Sequence, residues 1–282
     1  MAGRSDPVSG RKIIRKDLRM NVKKILTIAG SDCSGGAGIQ ADLKTISAHG
    51  MYGMSVITSV TAQNTTGVYG VCDMEPDFVG RQIDCVFEDI RPDAVKIGMV
   101  SNAEIIECIV KRMEQYRPEI LVVDPVMVST SGCMLLEDSA LQILVSRLIP
   151  LASLITPNIP EARVLSGTEI NDEKEMLQAA RIIYEKTGTA VLVKGGHLTN
   201  QASDILYRVL EDEPAETWFY GKRSDNPNTH GTGCTLSSAI ACQLAAGQNL
   251  ENGVAEAKQY ISNAIQAGLN LGSGSGPLWH FG

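Results

Sequence analysis

The chain has 282 residues and lacks most of the short signatures that assign a protein quickly. No G-x-x-x-x-G-K-[ST] occurs, which excludes a P-loop nucleotide enzyme. No G-x-S-x-G elbow and no H-E-x-x-H pair occurs, which argues against an α/β-hydrolase or a zincin. No run approaches 18 apolar residues, so no transmembrane helix is expected. The seven cysteines show neither C-x-x-C nor zinc-finger spacing. An odd count in a chain too long to need staples reads as a reducing, cytoplasmic compartment. Excess basic charge is missing too: the net charge of −7 excludes a fold-wide nucleic-acid surface. An acidic chain that handles phosphates must gather positive potential locally, through helix N-termini, a few lysines or a metal ion.

The first 24 residues are basic and lack the apolar core of a signal peptide. Residues 1–20 read as a disordered leader or an added segment, and residues 21–282 as one domain. Strand and helix patterns alternate along that length. Strands are expected near 24–30, 54–62, 93–98, 119–126, 153–156, 190–194, 204–209 and 216–220. Helices are expected near 36–49, 76–90, 101–116, 137–149, 159–166, 172–187, 232–247 and 251–267. Strands such as Ile120-Leu-Val-Val-Asp124 are apolar on both faces, as parallel strands covered by helices must be. The pattern predicts a three-layer α/β/α sandwich with a mostly parallel central sheet.

Two glycine-rich loops stand out. Gly30-Ser-Asp-Cys-Ser-Gly-Gly-Ala-Gly38 joins the first strand to the first helix. Asn228-Thr-His-Gly-Thr-Gly-Cys234-Thr opens an apolar helical run late in the chain. A helix opened by Gly231, Thr232 and Gly233 presents free N–H groups and a positive dipole end, which suits a phosphate. The same dipole is expected to favour the thiolate of Cys234 in the first turn. Other polar residues fall at strand carboxyl ends, where open α/β sheets gather function: Asp124, the Thr156–Glu161 segment, and Lys194-Gly-Gly-His197.

Phosphoryl transfer fits this set. It needs charge neutralisation, positioning, a metal on the phosphates and an acceptor for the hydroxyl proton. Asp124 and Glu161 are the candidate Mg²⁺ holders, through waters. Lys194 is a candidate phosphate contact, and the Gly231–Gly233 amides a cradle for the transferring group. Cys234 is the candidate proton acceptor. Taken singly, each has an ordinary alternative: a turn cap for Asp124, a solvated helix start for Glu161, a surface position for Lys194 or His197. Together they argue for a site.

At this point the chain resembles the hydroxymethylpyrimidine/phosphomethylpyrimidine kinases of thiamine biosynthesis, within the ribokinase-like superfamily. The resemblance runs from about Lys24 to the end. It rests on Ala29-Gly-Ser-Asp-Cys-Ser-Gly-Gly-Ala-Gly-Ile-Gln-Ala-Asp-Leu-Lys-Thr, Thr61-Ala-Gln-Asn-Thr, Lys96-Ile-Gly-Met, Val123-Asp-Pro-Val-Met, Thr156-Pro-Asn-Ile-Pro-Glu, Val193-Lys-Gly-Gly-His and the Asn228 loop. It implies ATP as donor, Mg²⁺ as cofactor, and two successive phosphorylations of 4-amino-5-hydroxymethyl-2-methylpyrimidine. It implies Asp42, Gln63, Met99 and Val126 around the pyrimidine, with Gly30 beneath it. Lys194, His197, Thr232 and Gly233 are expected at the nucleotide. A homodimer is implied, and K⁺ is a further candidate cofactor without a residue set to argue for it.

The alternative within the family is a pyridoxal/pyridoxine kinase, or dual specificity. Relatives directed to pyridoxal often carry methionine where Gln63 stands, and some a second cysteine where Ser129 stands. Both positions favour the pyrimidine. Cys33 replaces the proline of many members in the first loop, a change expected to alter stiffness only. Segment Val128–Met134 is expected to form a lid.

Overall fold

A computed structural model describes residues 22–127, 136–196, 202–221, 226, 228–267 and 269–281. The expected leader, the lid segment with Ser129, and His197 lie outside the described residues.

Strand β1 (Lys24–Asp32) runs through the middle of a nine-stranded sheet. It pairs in parallel with β2 (Tyr52–Asn64) on one side and β4 (Ala94–Ile97) on the other. Parallel pairing continues outward through β5 (Leu121–Val123), β6 (Leu154–Ile155) and β7 (Ala190–Lys194). The edges are antiparallel. Strand β3 (Gly67–Asp73) pairs with β2, and β8 (Ala202–Leu210) and β9 (Glu213–Gly221) extend the sheet past β7. The order is β3-β2-β1-β4-β5-β6-β7-β8-β9. Because the chain leaves β1 for β2 on one side and returns to β4 on the other, the strand order reverses at β1. A crevice opens at the carboxyl ends there.

Successive strand residues serve opposite faces. Leu26, Ile28, Val95, Ile97, Val123 and Ile155 face one core, against helices α2 (Pro76–Asp89), α3 (Ala103–Tyr116), α5 (Ile159–Ser166) and α6 (Glu173–Thr187), with α4 (Asp138–Ile143) adding Ala140. Ile25, Ala94, Val122, Leu154 and Leu192 face the other, against α1 (Gly38–Ala48), α7 (Thr232–Ala245) and α8 (Leu250–Ala267). This is the three-layer sandwich that doubly apolar strands require.

The helices start and stop for local reasons. Pro76 opens α2, where its missing N–H costs nothing. Asn102 caps α3 by accepting from Ile105 N at 2.9 Å. Gly188 ends α6 at φ 69°, a left-handed turn that glycine adopts freely. Two expectations are corrected. The single helix over 137–149 is α4 followed by a π turn (Leu144–Leu148) and a 3₁₀ turn (Ile149–Leu151). Pro150 has no N–H to continue the α ladder, and its ring would strike the carbonyl of Ser146. Strand β3 was not expected. It is exposed along most of its length, so it lacks the core-facing pattern that marks a strand.

Candidate active site

The two glycine loops meet face to face. Gly231, at φ 86°, precedes α7, and a methyl group added to it would lie 2.0 Å from Gly36 O. Only glycine permits that approach. A methyl on Gly36 would in turn lie 2.3 Å from His230 Cδ2.

The first loop is organised by Asp32 at the end of β1. Its carboxylate accepts from Ser34 N at 2.8 Å, Ser34 Oγ at 2.7 Å, Ala37 N at 2.8 Å and Gly36 N at 3.2 Å. His230 Nε2 adds a contact at 2.9 Å across 198 residues of sequence. Burial alone would raise its pKa; these hydrogen bonds outweigh burial and hold it well below the ordinary carboxylate range. The side-chain amide of Gln63, on β2, reaches the same ring, with Nε2 3.2 Å from His230 Nε2. Cys33 does more than change stiffness. Its thiol donates to Gln63 O at 3.1 Å and accepts from Gln63 N at 3.3 Å, so it ties the loop to β2.

Met99 lies across from Gly30: a methyl on Gly30 would meet Met99 Sδ at 3.4 Å. Val126 is half-buried just past β5, its N–H turned back to Asp124 O at 2.8 Å. Asp42 departs from the expected placement. It has no exposed surface, and both its oxygens lie 2.9 Å from the equally buried Lys96 Nζ. Thr27 Oγ1 and Ser238 Oγ donate to it at 2.6 and 2.8 Å. It lies on the buried face of α1, where a carboxylate survives only with a cation and donors.

The second half of the site lies at β5, β6 and β7. Asp124 Oδ1 accepts from Lys194 Nζ at 2.8 Å and from Thr156 Oγ1 at 2.9 Å. Asp124 Oδ2 is buried with no hydrogen-bond partner among the described residues. Glu161 forms a capping box with Asn158 at the start of α5 and is 4% exposed. Burial, partly opposed by Lys194 and reinforced by the Asp124 charge, pushes its pKa up to about 7. Asp124 is pulled below the ordinary range: Lys194 and Lys96 outweigh its burial. A methyl on Gly233 would meet Asp124 Oδ2 at 3.2 Å and Lys194 Nζ at 3.4 Å, so the first turn of α7 rests directly on this pair.

No side chain caps α7. Thr232 N–H is used, donating to Thr229 O at 3.2 Å, so the first turn offers the N–H groups of Gly233 and Cys234. Cys234 corrects the expectation of a favoured thiolate. Burial pushes its pKa up to about 11; Lys96 opposes this, while Asp42 and Asp124 reinforce it. The helix dipole does not overcome desolvation, and the resting group is a thiol.

An oxygen orphaned in a buried, anion-rich cluster and a carboxyl group with a raised pKa both fit a divalent cation as the missing partner. The described residues contain no group of three His, Cys, Asp or Glu side chains that would ligate a metal without substrate or water. A pair of carboxylates fits Mg²⁺, which keeps its waters.

Sequence reasoning brought together Asp124, Glu161, Lys194 and Gly233 correctly as neighbours. It missed the Asp32–His230–Gln63 chain and Lys96. His230 sits inside the most prominent motif, but its partner is 198 residues away and leaves no local trace.

Residues 32–279 match the family model for phosphomethylpyrimidine kinase. The hydroxymethylpyrimidine/phosphomethylpyrimidine kinase of Escherichia coli (strain K12) is 48% identical over 259 residues, covering 91% of this chain and 96% of that protein. A thiamine biosynthesis bifunctional protein of Geobacter sulfurreducens is 49% identical, and the chain spans about half of it, 52%. Among solved structures, phosphomethylpyrimidine kinase from Clostridium difficile 630 is 50% identical with a TM-score of 0.76, over 86% of this chain and 99% of that one. An ADP complex of Bacillus subtilis pyridoxal kinase is 36% identical with a TM-score of 0.84, over 92% and 97%. Identity of this order over nearly the whole described fold assigns the chain to the phosphomethylpyrimidine kinase family.

Proposed function

We propose that this chain phosphorylates 4-amino-5-hydroxymethyl-2-methylpyrimidine with ATP, first to the monophosphate and then to the diphosphate, for thiamine diphosphate synthesis. The observation that carries the chemistry is the meeting of Asp124, Lys194 and Gly233 under the N-terminus of α7. A cation, a carboxylate with a spare oxygen and free N–H groups converge where a phosphoryl group would pass. Residues 21–282 act as one domain in this reading, and a homodimer in the cytoplasm is its expected form.

Lys194 meets the phosphates as a point charge. The N–H groups of Gly233 and Cys234 hold the transferring group's oxygens. Asp124 and Glu161 would hold Mg²⁺ through waters, and the chemistry it would supply there is neutralising charge for the phosphates. Gln63 faces the aminopyrimidine edge, since its amide offers both a donor and an acceptor. Gly30, Met99 and Val126 bound the ring, and Asp42 supports them from behind through Lys96. Cys234 takes the hydroxyl proton. It accepts that proton only as the thiolate, so its own proton must first leave to solvent: burial above all, then Asp42 and Asp124, hold the resting group as a thiol, and Lys96 opposes them.

The likeness to pyridoxal kinase favours one second reading, turnover of B6 vitamers. A single assay separates the two: ATP consumption with Mg²⁺, with and without K⁺, on hydroxymethylpyrimidine, its monophosphate and pyridoxal. Turnover of both pyrimidines with pyridoxal weak is the expected result. Turnover of pyridoxal alone overturns the substrate and keeps the chemistry.

A further inference from the structure

His230 and Asp32 have no part in the chemistry above, yet they are built into the meeting point of the two glycine loops. His230 is 6% and Asp32 3% exposed. The ring is held on two sides, with Gly36 against its Cδ2 edge and Asp32 Oδ2 2.9 Å from Nε2, and the residue's backbone N–H donates to Gly276 O at 3.2 Å. A side chain fixed this firmly next to Gln63 controls what Gln63 can do.

The hydrogens can be counted. Asp32 is ionised, and a carboxylate only accepts. Nε2 of His230, which faces it, must therefore carry a proton. Gln63 Nε2 is 3.2 Å from that same nitrogen, so an amide with its NH₂ group there would set donor against donor. Thr61 supplies the second constraint. Its Oγ1 lies 3.1 Å from Ser31 O and 3.1 Å from the Gln63 amide oxygen, and its single hydroxyl proton can serve only one of them. A half-turn of the amide satisfies every group. Gln63 Oε1 then accepts from His230 Nε2–H, which it shares with Asp32. Gln63 NH₂ then donates to Thr61 Oγ1, whose own proton goes to Ser31 O.

We propose that the Asp32–His230 pair is a specificity device: it fixes the amide of Gln63 in one orientation, with oxygen toward His230 and NH₂ toward Thr61, and so sets the order of acceptor and donor shown to the substrate. This rests on the reading that Gln63 faces the substrate. One lone pair of Oε1 and one N–H remain free. Side by side in that fixed order, they match a heteroaromatic ring carrying an amino group beside a ring nitrogen. The amino N–H meets the oxygen and the ring nitrogen meets the NH₂. A ring with a hydroxyl in place of the amino group offers a different pattern. A freely turning glutamine could adapt to either; a locked one discriminates. His230 is a positioning residue in this scheme and touches no reacting atom.

The test joins a double-mutant cycle to a direct look at the ring. His230→Leu removes the Nε2 donor, and His230→Gln keeps a donor near the same place. KM for hydroxymethylpyrimidine should rise about tenfold in His230→Leu, more than kcat changes, and His230→Gln should recover most of it. In a Gln63→Leu background, His230→Leu should add less than about twofold, because its target is gone. An equal tenfold cost in both backgrounds overturns the proposal. Independently of any substrate, ¹⁵N shifts of the imidazoles in the ligand-free protein, assigned among the four histidines with the His230→Gln variant, should give the Nε2–H tautomer for His230. An Nδ1–H tautomer overturns it. Should no pyrimidine be phosphorylated at all, the function fails, while the tautomer still decides the lock.

Discussion

Asp32 and the Asp124–Glu161 pair are buried acidic groups at two ends of one crevice, and they are finished in opposite ways. Asp32 has a donor for each lone pair it can offer, from one loop and one histidine. Asp124 keeps an oxygen with no partner among the described residues, and Glu161 is crowded by burial and by its neighbour's charge until it holds its proton near neutrality. A carboxylate saturated by the protein belongs to the architecture. One left short of partners waits for a ligand. The sequence treats both alike, as an acid at a strand end, and only the count of hydrogen bonds separates them.

The comparison can be broken by experiment. The largest effect is expected on the open side, at Cys234. Cys234→Ala should slow transfer to the alcohol about 10²–10⁴-fold. Transfer to the monophosphate should suffer much less, because that group carries about −1.5 to −2 charge and needs no base. Equal losses on both substrates, measured in one assay series, would make Cys234 an anion contact instead.

Next comes the metal. Glu161→Gln keeps the cap on α5 through its amide oxygen but removes the charge. The Mg²⁺ concentration for half-maximal rate should rise about 10–100-fold. Asp32→Asn should leave that concentration unchanged and instead lower unfolding stability by about 2–3 kcal/mol in urea titrations, since an amide NH₂ would face the donors now satisfied. A shift in Mg²⁺ demand on Asp32→Asn would erase the distinction between the two ends.

The smallest effect is in pH dependence, and there the two ends have opposite signs. Glu161 titrates near 7 in the fold against about 4.5 in the unfolded chain. Between those values the folded protein holds a proton the unfolded chain has lost. Its contribution to stability therefore falls as pH rises through that window. Asp32 is depressed from 3.8, so its contribution is complete above that value and is lost as pH falls below it. Melting in EDTA from pH 3 to 8 should show both arms, Glu161→Gln flattening the upper and Asp32→Asn the lower.

Much of the fold was legible. Strands buried on both faces, such as β5 and β7, announce a parallel sheet, because nothing else explains two apolar faces. The positions of Asp124 and Lys194 followed from the rule of strand carboxyl ends, and that of Gly233 from a glycine-opened helix start. What was not legible has physical causes. Strand β3 has no buried face to write a pattern. The π turn before Pro150 depends on ladder geometry beyond any periodicity. The thiol of Cys234 sits in a contest between dipole and desolvation, and only burial, which sequence does not give, decides it.

The last residues described add one more consequence. Beyond Gly276, Pro277 bridges to His230, and Leu278 and His280 are buried. His280 Nε2 reaches Thr235 Oγ1 at 3.1 Å, next to Cys234. The crevice is thus assembled from the first strand, a loop some 200 residues later, and a tail beyond that. The sheet itself is complete without that tail, since its last strand ends at Gly221. The lock on Gln63 cannot close until residues near 277 are in place. A chain lacking the residues near 277 would carry the phosphate loop without the backbone partners that His230 has in the fold.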